Sequence, residues 1–138
     1  KAVYEGIAYN LRWILEIFKR RYDFSLPSLR VIGGGSNSDE WMQIISDVTQ
    51  RRIEKVSEAQ MCGATGAAFI AMVGLGIYPD IDTAAENVKV EKVFSPRHEN
   101  KRIYDILFRT YKLVYKDLRK LYQDVNTERE KLYMTGRQ

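Results

Sequence analysis

The sequence predicts an α/β domain with a parallel βαβ core that packs against several helices. Two short segments rich in β-branched residues, 29–32 and 52–56, flank a glycine run and an amphipathic stretch that ends near Gln50. A strand–loop–helix–strand unit of this length predicts parallel strands joined by a right-handed crossover. Helical periodicity predicts helices over residues 1–20 and 99–123, and a stretch of apolar and small residues predicts a third over 63–76.

Length and composition predict one folded domain. The chain has 138 residues, of which 45% are hydrophobic and 29% are charged, and this balance excludes a disordered or low-complexity chain. Its formal net charge of +4 is too small to indicate a nucleic-acid partner. The chain opens at Lys1 directly into a helical pattern, with no signal peptide, so we expect a part of a longer protein.

The single cysteine and the single histidine restrict the chemistry. Cys62 cannot form an internal disulfide, which favours a reducing, cytoplasmic location. Together with His98 it cannot supply a Cys/His zinc site. Because His98 is far from Cys62 in the sequence and lies where a helix begins, we expect neither residue to act in nucleophilic catalysis.

The first half of the chain carries clear element signals. Helix 1–20 has an apolar stripe and ends in a basic cluster, which complements the helix dipole. After the first strand and the glycines come Ser36, Asn37 and Ser38, all residue types that favour N-caps, followed by Asp39 and Glu40 in a first helical turn. The stripe of that second helix consists of Trp41, Ile44, Ile45 and Val48.

The helix predicted at 63–76 carries apolar or small residues on every side. We therefore expect this helix to be buried in the core. The stretch 59–79 is uncharged, but its four glycines and its lack of a flanking positive cluster argue against a membrane span. Residues 78–80 end the helix. Residues 81–98 are predicted to be irregular, with one short strand at 88–90.

The last predicted helix, 99–123, combines an apolar stripe with many basic residues. Acidic residues dilute these cations, so we predict a solvated helix face and no nucleic-acid partner. From Asp124 the sequence is polar, and we expect residues 124–138 to form a loosely held C-terminal tail.

The segment 33–38 is the strongest indicator of function. Gly33, Gly34 and Gly35 remove every Cβ from the exit of a strand, so a flat ligand can approach the main chain closely. Ligands of open α/β sheets bind beyond the carboxyl ends of strands, and the start of a helix offers free N–H groups. These features predict a nucleotide-binding edge.

The details restrict the ligand. The segment lacks both the ending of a P-loop and the spacing of a dinucleotide fold. Asp39 and Glu40 would repel a triphosphate on the helix axis, so we expect the loop to hold a nucleoside and at most the nearest phosphate. The alternative is a glycine loop needed only for packing, because a lone glycine-rich loop is a weak signal.

Three ordered motifs resemble the FGGY carbohydrate kinases, and the xylulokinase-like members most of all. Residues 2–12, AVYEGIAYNLR, resemble the family's helix with an Arg-Ala-x-x-Glu-Gly pattern. Residues 29–48 resemble its adenosine motif, and residues 58–78 resemble its final core helix. The resemblance covers residues 1–122. It implies a partial actin-like ATPase domain of the ribonuclease-H-like class, the later part of a C-terminal, nucleotide-side domain over residues 1–123.

The resemblance also implies a reaction and a set of site residues. Gly33, Gly34, Gly35 and Ser38 would form the cofactor-binding set, with Gly34 and Gly35 beside the ribose and α-phosphate of ATP and Ser38 beside the adenine. Gln43 and Asp47 would be structural.

The implied reaction is Mg²⁺-assisted phosphoryl transfer from ATP to a pentulose such as xylulose, or to a related sugar or polyol. The catalytic base, the Mg²⁺ ligands and the sugar site would all precede Lys1, so these 138 residues alone should be inactive.

Several expectations complete this interpretation. Asp39, Asp47 and Asp80 are expected at a helix start, on a helix surface and in a turn, so none is assigned as a catalytic or metal-binding residue. We expect no membrane partner, and we expect copies of the chain to self-associate through unpaired sheet edges. The competing hypothesis is a non-catalytic α/β interaction domain with a purely structural glycine loop.

Overall fold

The computed structural model describes residues 1–23 and 25–135 of the chain. The elements follow the order α1 (Ala2–Tyr22), β1 (Ser28–Val31), a 3₁₀ helix (Gly34–Asn37), α2 (Asp39–Thr49), β2 (Arg52–Val56), α3 (Cys62–Gly74), α4 (Ile81–Ala85), β3 (Val90–Phe94) and α5 (His98–Thr135). They fall into two compact units, Lys1–Arg102 and Ile103–Gln138.

The first unit contains a three-stranded sheet in the order β1-β2-β3. β1 and β2 are parallel, as the sequence predicts, and Leu29 lies opposite Ile53. β3 is antiparallel to β2, with Phe94 opposite Ile53 and an irregularity between Lys55 and Val56. The predicted βαβ unit is therefore confirmed, and an antiparallel strand extends it on one side.

The core of the first unit lies between the sheet and two helices. α1 packs against α2, and α2 packs against β2 and β3. The buried apolar side chains include Ala8, Met42, Val48, Ile53 and Phe94. Full burial of a Val, Ile, Met or Phe side chain contributes roughly 1.5–3 kcal/mol to the stability of the fold. This packing holds the end of β1 and the start of α2 in fixed positions.

Three predictions for the second half of the chain are wrong. None of the residues of α3, all of which the structure describes, is buried, although their composition predicts a core helix. The strand predicted at 88–90 lies at Val90–Phe94, and the segment predicted to be irregular contains α4. The reason for the first difference is that, among the described elements, α4 is the main packing partner of α3.

The second unit consists mainly of α5, which runs well beyond the predicted end at residue 123. Residues 124–131 are polar except for Val125, yet half of them, the Glu, Arg and Lys of 128–131, are good helix formers, and Lys131 pairs with Glu128 one turn earlier. Polarity therefore does not end this helix. Residues 136–138 of the predicted tail lie outside the described residues. Over the described ranges, the helices are all too short or too polar to cross a membrane.

Candidate functional site

The glycine corner, residues 33–38, follows β1 and is fixed by its own hydrogen bonds. Gly33 has φ +90°, a backbone conformation that side-chain-bearing residues rarely adopt. The Gly33 N–H donates to the carbonyl of Ala59 at 2.9 Å. The hydroxyl of Ser36, which is fully buried, donates to the carbonyl of Gly33 at 2.7 Å. The corner is thus an ordered turn attached to the loop that precedes α3.

The three glycines of the corner lie in different surroundings. A Cβ at Gly35 would overlap the ring of Trp41, two further ring atoms of which lie at 3.0 Å. Gly34 is exposed, and an added Cβ there would have no heavy atom of the described residues within 4 Å apart from those of its own chain neighbours. Gly33 is required by its φ and Gly35 by Trp41. The main chain is open at Gly33 and Gly34, and Gly34 is the one of the three glycines with neither a positive φ nor a ring of the described residues against it.

An aromatic pair lies beside Gly35. The ring of Tyr4 on α1 stacks on Trp41 at 5.2 Å between centroids, with 21° between the planes. Sequence analysis missed both residues as parts of the site, because each also fits the apolar stripe of its helix. The available signal was the Trp six residues after the glycine run, on the helix that begins at Asp39.

Ser38 is the N-cap of α2. Its Oγ accepts the backbone N–H of Trp41 at 3.3 Å, and its hydroxyl donates to Oε2 of Glu40 at 3.2 Å. These are the contacts of a helix cap. A position beside an adenine stays a prediction for Ser38, because the cap already explains the residue type.

The two acidic residues of the first turn of α2 lie where the sequence predicts. Asp39 Oδ2 is 2.5 Å from Nζ of Lys92 on β3. The hydrogen bond from Lys92 holds the pKa of Asp39 below its usual value, although partial desolvation opposes this. The negative charge at this point of the corner is therefore paired.

Asp47 is not on a helix surface, and this expectation is wrong. The residue is fully buried, and its carboxylate accepts hydrogen bonds from the backbone N–H and the guanidinium of Arg97 at 2.7–2.9 Å. The amides of Asn100 and Gln43 also donate to it, each at 2.8 Å. Burial alone would raise the pKa of Asp47, but these donors outweigh it and lower the pKa.

The remaining acidic candidate has a structural explanation. Oδ1 of Asp80 accepts the N–H of Thr83 at 2.7 Å and caps α4, and this bond lowers the pKa of Asp80. The part of the chain that the structure describes has no group of three or more His, Cys, Asp or Glu side chains placed to hold a metal ion. The chain's acids thus support helices and a buried network.

An open groove of about 610 Å³ lies next to the aromatic pair. Its lining includes Tyr4 from α1, Asp39 and Glu40 from the first turn of α2, and Arg97. The glycines and Ser38 are not among its lining residues. The volume is of the size that small ligands occupy. The groove thus borders the start of α2, and the glycine corner does not line it.

Comparisons with known proteins agree with this architecture. Residues 1–75 match the sequence model of the FGGY family of carbohydrate kinases, C-terminal domain. A xylulose kinase of Staphylococcus epidermidis is 34% identical over 128 residues, which are 92% of this chain and 25% of that protein. A glycerol kinase of Pediococcus pentosaceus is 35% identical over 97 residues, 70% of this chain and 19% of that protein.

Solved structures show the same similarity. The ligand-bound xylulose kinase of Lactobacillus acidophilus superposes with a TM-score of 0.78 at 25% identity, over 90% of this chain and 25% of that chain. The chain thus spans about a quarter of the length of the relatives it matches.

Proposed function

From the premise that this chain belongs to the FGGY family of carbohydrate kinases, we propose that it is the nucleotide-side portion of an ATP-dependent sugar kinase. Its glycine corner accepts the adenosine part of ATP, with Gly34 and Gly35 beside the ribose and the α-phosphate and Ser38 toward the adenine. Gly33 shapes the turn. Residues 1–123 belong to the C-terminal domain of the enzyme, and residues 124–138 continue from that domain.

The open main chain at Gly34 is the observation that carries this proposal. A strand end, an exposed glycine and the start of a helix lie together there. Unused N–H groups at a helix start favour an anion, and a Cβ-free backbone allows a flat ring to approach. Space remains around Gly34 among the described residues, whereas Trp41 fills the position beside Gly35.

The reaction we propose is phosphoryl transfer from ATP to a hydroxyl of a pentulose such as xylulose, or of a related sugar or polyol. Xylulose kinases among the relatives support this substrate class. The residues of this chain would bind and orient the nucleotide. Mg²⁺, when bound, would neutralise charge on the phosphates. Its ligands, the base and the sugar site belong to a preceding domain in this proposal, and the enzyme is cytoplasmic.

The test is a Gly34→Trp substitution in the complete kinase polypeptide. We expect ATP affinity, measured by isothermal titration calorimetry, to fall below detection, because the indole would occupy the space where adenosine lies. The fold should survive, since the space around Gly34 is open. A Gly34→Ala variant is the matched control and should weaken ATP binding less than the Trp variant, because it adds a single methyl group where the ring approaches. Unchanged ATP affinity in the Trp variant would refute the proposed site.

A second candidate function is a non-catalytic interaction domain. The observation in its favour is that Gly33 and Gly35 both have structural reasons, a positive φ and the ring of Trp41. This candidate predicts that the complete polypeptide binds no adenine nucleotide. The titration of the unsubstituted protein with ATP therefore separates the two.

A further inference from the structure

We propose that Lys92 is a positioning residue for nucleotide binding: its ammonium group neutralises the Asp39 carboxylate and lets a phosphate approach the glycine corner. This inference rests on the proposed function, because it concerns the same site. Sequence analysis assigned no role to Lys92, which lies 53 residues after Asp39.

The ammonium group of Lys92 is held from two directions. Its Nζ is 2.5 Å from Oδ2 of Asp39, and it lies 5.3 Å from the centroid of the Phe94 ring. Phe94 is buried and provides a fixed face for a cation–π contact. The side chains of Lys92 and Asp39 are half-exposed, so the pair borders solvent that a ligand can displace.

The charges at the start of α2 give this pair its importance. A helix N-terminus attracts anions through its partial positive charge, but Asp39 and Glu40 put two carboxylates on the first turn. Glu40 accepts a hydrogen bond from Ser38, which leaves its charge in place. Lys55 lies in register with Lys92, but its ammonium contacts Glu91 at 3.0 Å. Lys92 is the cation that contacts Asp39.

Asp39 is close enough to the corner for its charge to matter. The Ser38 N–H donates to the carbonyl of Gly35 at 3.3 Å, so a single tight turn separates Gly35 from Asp39. Only three residues separate Gly35 from Asp39 in the sequence, and screening at physiological salt acts over a Debye length of about 8 Å. An unpaired Asp39 would therefore repel the phosphate.

The alternative is that the ion pair only joins β3 to α2. Lys92→Met and Asp39→Asn both break the pair, so a purely structural role predicts that they change binding in the same direction. Charge neutralisation predicts opposite directions. Removing Lys92 adds a net negative charge beside the phosphate, whereas removing the carboxylate leaves a net positive charge.

The experiment measures the affinities of ATP and of uncharged adenosine in the complete kinase polypeptide at 50 mM and 500 mM salt. At low salt we expect Lys92→Met to weaken ATP binding by about threefold to tenfold, as a single nearby charge does at a protein surface. Asp39→Asn should strengthen ATP binding, and the double variant should return near the original affinity. High salt should shrink these differences, and adenosine should be unaffected throughout.

Two controls accompany these variants. Lys92→Arg should keep ATP affinity because it keeps the charge. Lys19→Met removes the same charge near the other end of α1. Lys19 is 15 residues from Tyr4 and thus about 22 Å away along the helix, so this variant should leave ATP affinity unchanged. Thermal unfolding of every variant shows whether a loss of ATP affinity is caused by misfolding. If Lys92→Met does not fold, the ATP affinity of Lys92→Gln at both salt concentrations takes its place.

The possible failures are distinct. If Lys92→Met and Asp39→Asn shift ATP affinity in the same direction, or shift adenosine as much as ATP, Lys92 is only a structural link. If the unsubstituted polypeptide binds neither ligand, the proposed function fails first and this inference fails with it.

Discussion

At the scale of single residues, Gly35 shows why a glycine run need not be a ligand site at every position. Its missing Cβ leaves room for the Trp41 ring, which in turn stacks on Tyr4. The run in the sequence does not distinguish this glycine from Gly34, because the ring that covers it comes from a different element. The glycine run can be found from the sequence, but the sequence does not show that Gly34 is an open position within it.

This difference predicts unequal stability effects when the same substitution is made at the two glycines. Gly35→Ala should destabilise the protein by about 1–3 kcal/mol, the usual range for overpacking, because Trp41 must move. Gly34→Ala should change the free energy of unfolding by less than about 0.5 kcal/mol, as at other open surface positions. Urea unfolding followed by tryptophan fluorescence measures both. Equal effects of the two substitutions would show that Trp41 does not pack on Gly35.

Asp47 is the residue that sequence reasoning placed worst. Helical periodicity puts it beside apolar Val48, and an acid in that position ordinarily faces solvent. Its burial depends on Arg97 and Asn100, which lie 50 and 53 residues later in the chain. No local pattern encodes a partner at that separation, so periodicity could not predict the buried network.

At the scale of elements, the Asp47 network joins α2 to the segment between β3 and α5. Gln43 donates both to Asp47 and to the carbonyl of Ser95, and Asn100 comes from the first turn of α5. Because a buried carboxylate needs donors on every side, these contacts fix the path of the chain after β3. The network is structural, as the resemblance implied for Gln43 and Asp47.

Asp47→Asn should therefore destabilise the first unit. We expect a loss of about 2–3 kcal/mol, below the usual value for a fully buried pair because half of the Arg97 side chain is exposed. Chemical denaturation at pH 7 measures this loss. Asn100→Ala, which removes one donor and keeps the charge, should cost less. A change under about 0.5 kcal/mol for Asp47→Asn would contradict the network, since surface substitutions have effects of that size.

The same network has a pH dependence with a definite sign. The folded state lowers the pKa of Asp47 below the ordinary 3.8, so the carboxylate contributes its full stability above that value. As the pH falls through 3.8 toward the folded-state pKa, this contribution is lost. The stability difference between the unsubstituted chain and Asp47→Asn should thus be constant from pH 7 to 5 and shrink below pH 4. A difference that grows on acidification would reverse the assigned sign.

The elements also differ in how far the sequence predicts them. The unit β1–glycines–α2–β2 has strong local signals at every boundary, and the structure confirms it. β3 carries weak signals, since Val90–Lys92 and Val93 are exposed and alternate poorly. It forms a strand because β2 offers it hydrogen-bonding partners, which is a tertiary effect.

At the scale of the whole molecule, the first unit has apolar surface that the described residues do not cover. Ile70 on α3 is 68% exposed and Leu75, at its C-cap, is 77% exposed. Among the described strands, β1 pairs with β2 alone and forms one edge of the sheet. The composition of α3 predicts a buried helix. The prediction fails because an apolar composition shows that a helix is suited to burial, but not that another element is available to cover it. The relatives are about four times as long as this chain.

This exposed surface predicts that the 138-residue chain self-associates. Apolar patches and free sheet edges both favour contact between copies. Sedimentation velocity over a range of concentrations should show species larger than a monomer. Ile70→Glu should raise the dissociation constant by at least about tenfold, because burying an aliphatic side chain of this size contributes about 1.5–3 kcal/mol and a carboxylate cannot replace it.

A matched control separates loss of apolar contact from added charge. Gln60→Glu introduces the same carboxylate at an exposed polar position just before α3, so it should leave the association largely intact. Equal dissociation by both variants would indicate that charge repulsion alone controls the equilibrium. If the chain stays monomeric at every concentration, neither α3 nor the β1 edge holds copies together. Association that persists in Ile70→Glu would instead point to the β1 edge, since main-chain pairing does not require the side chain of Ile70.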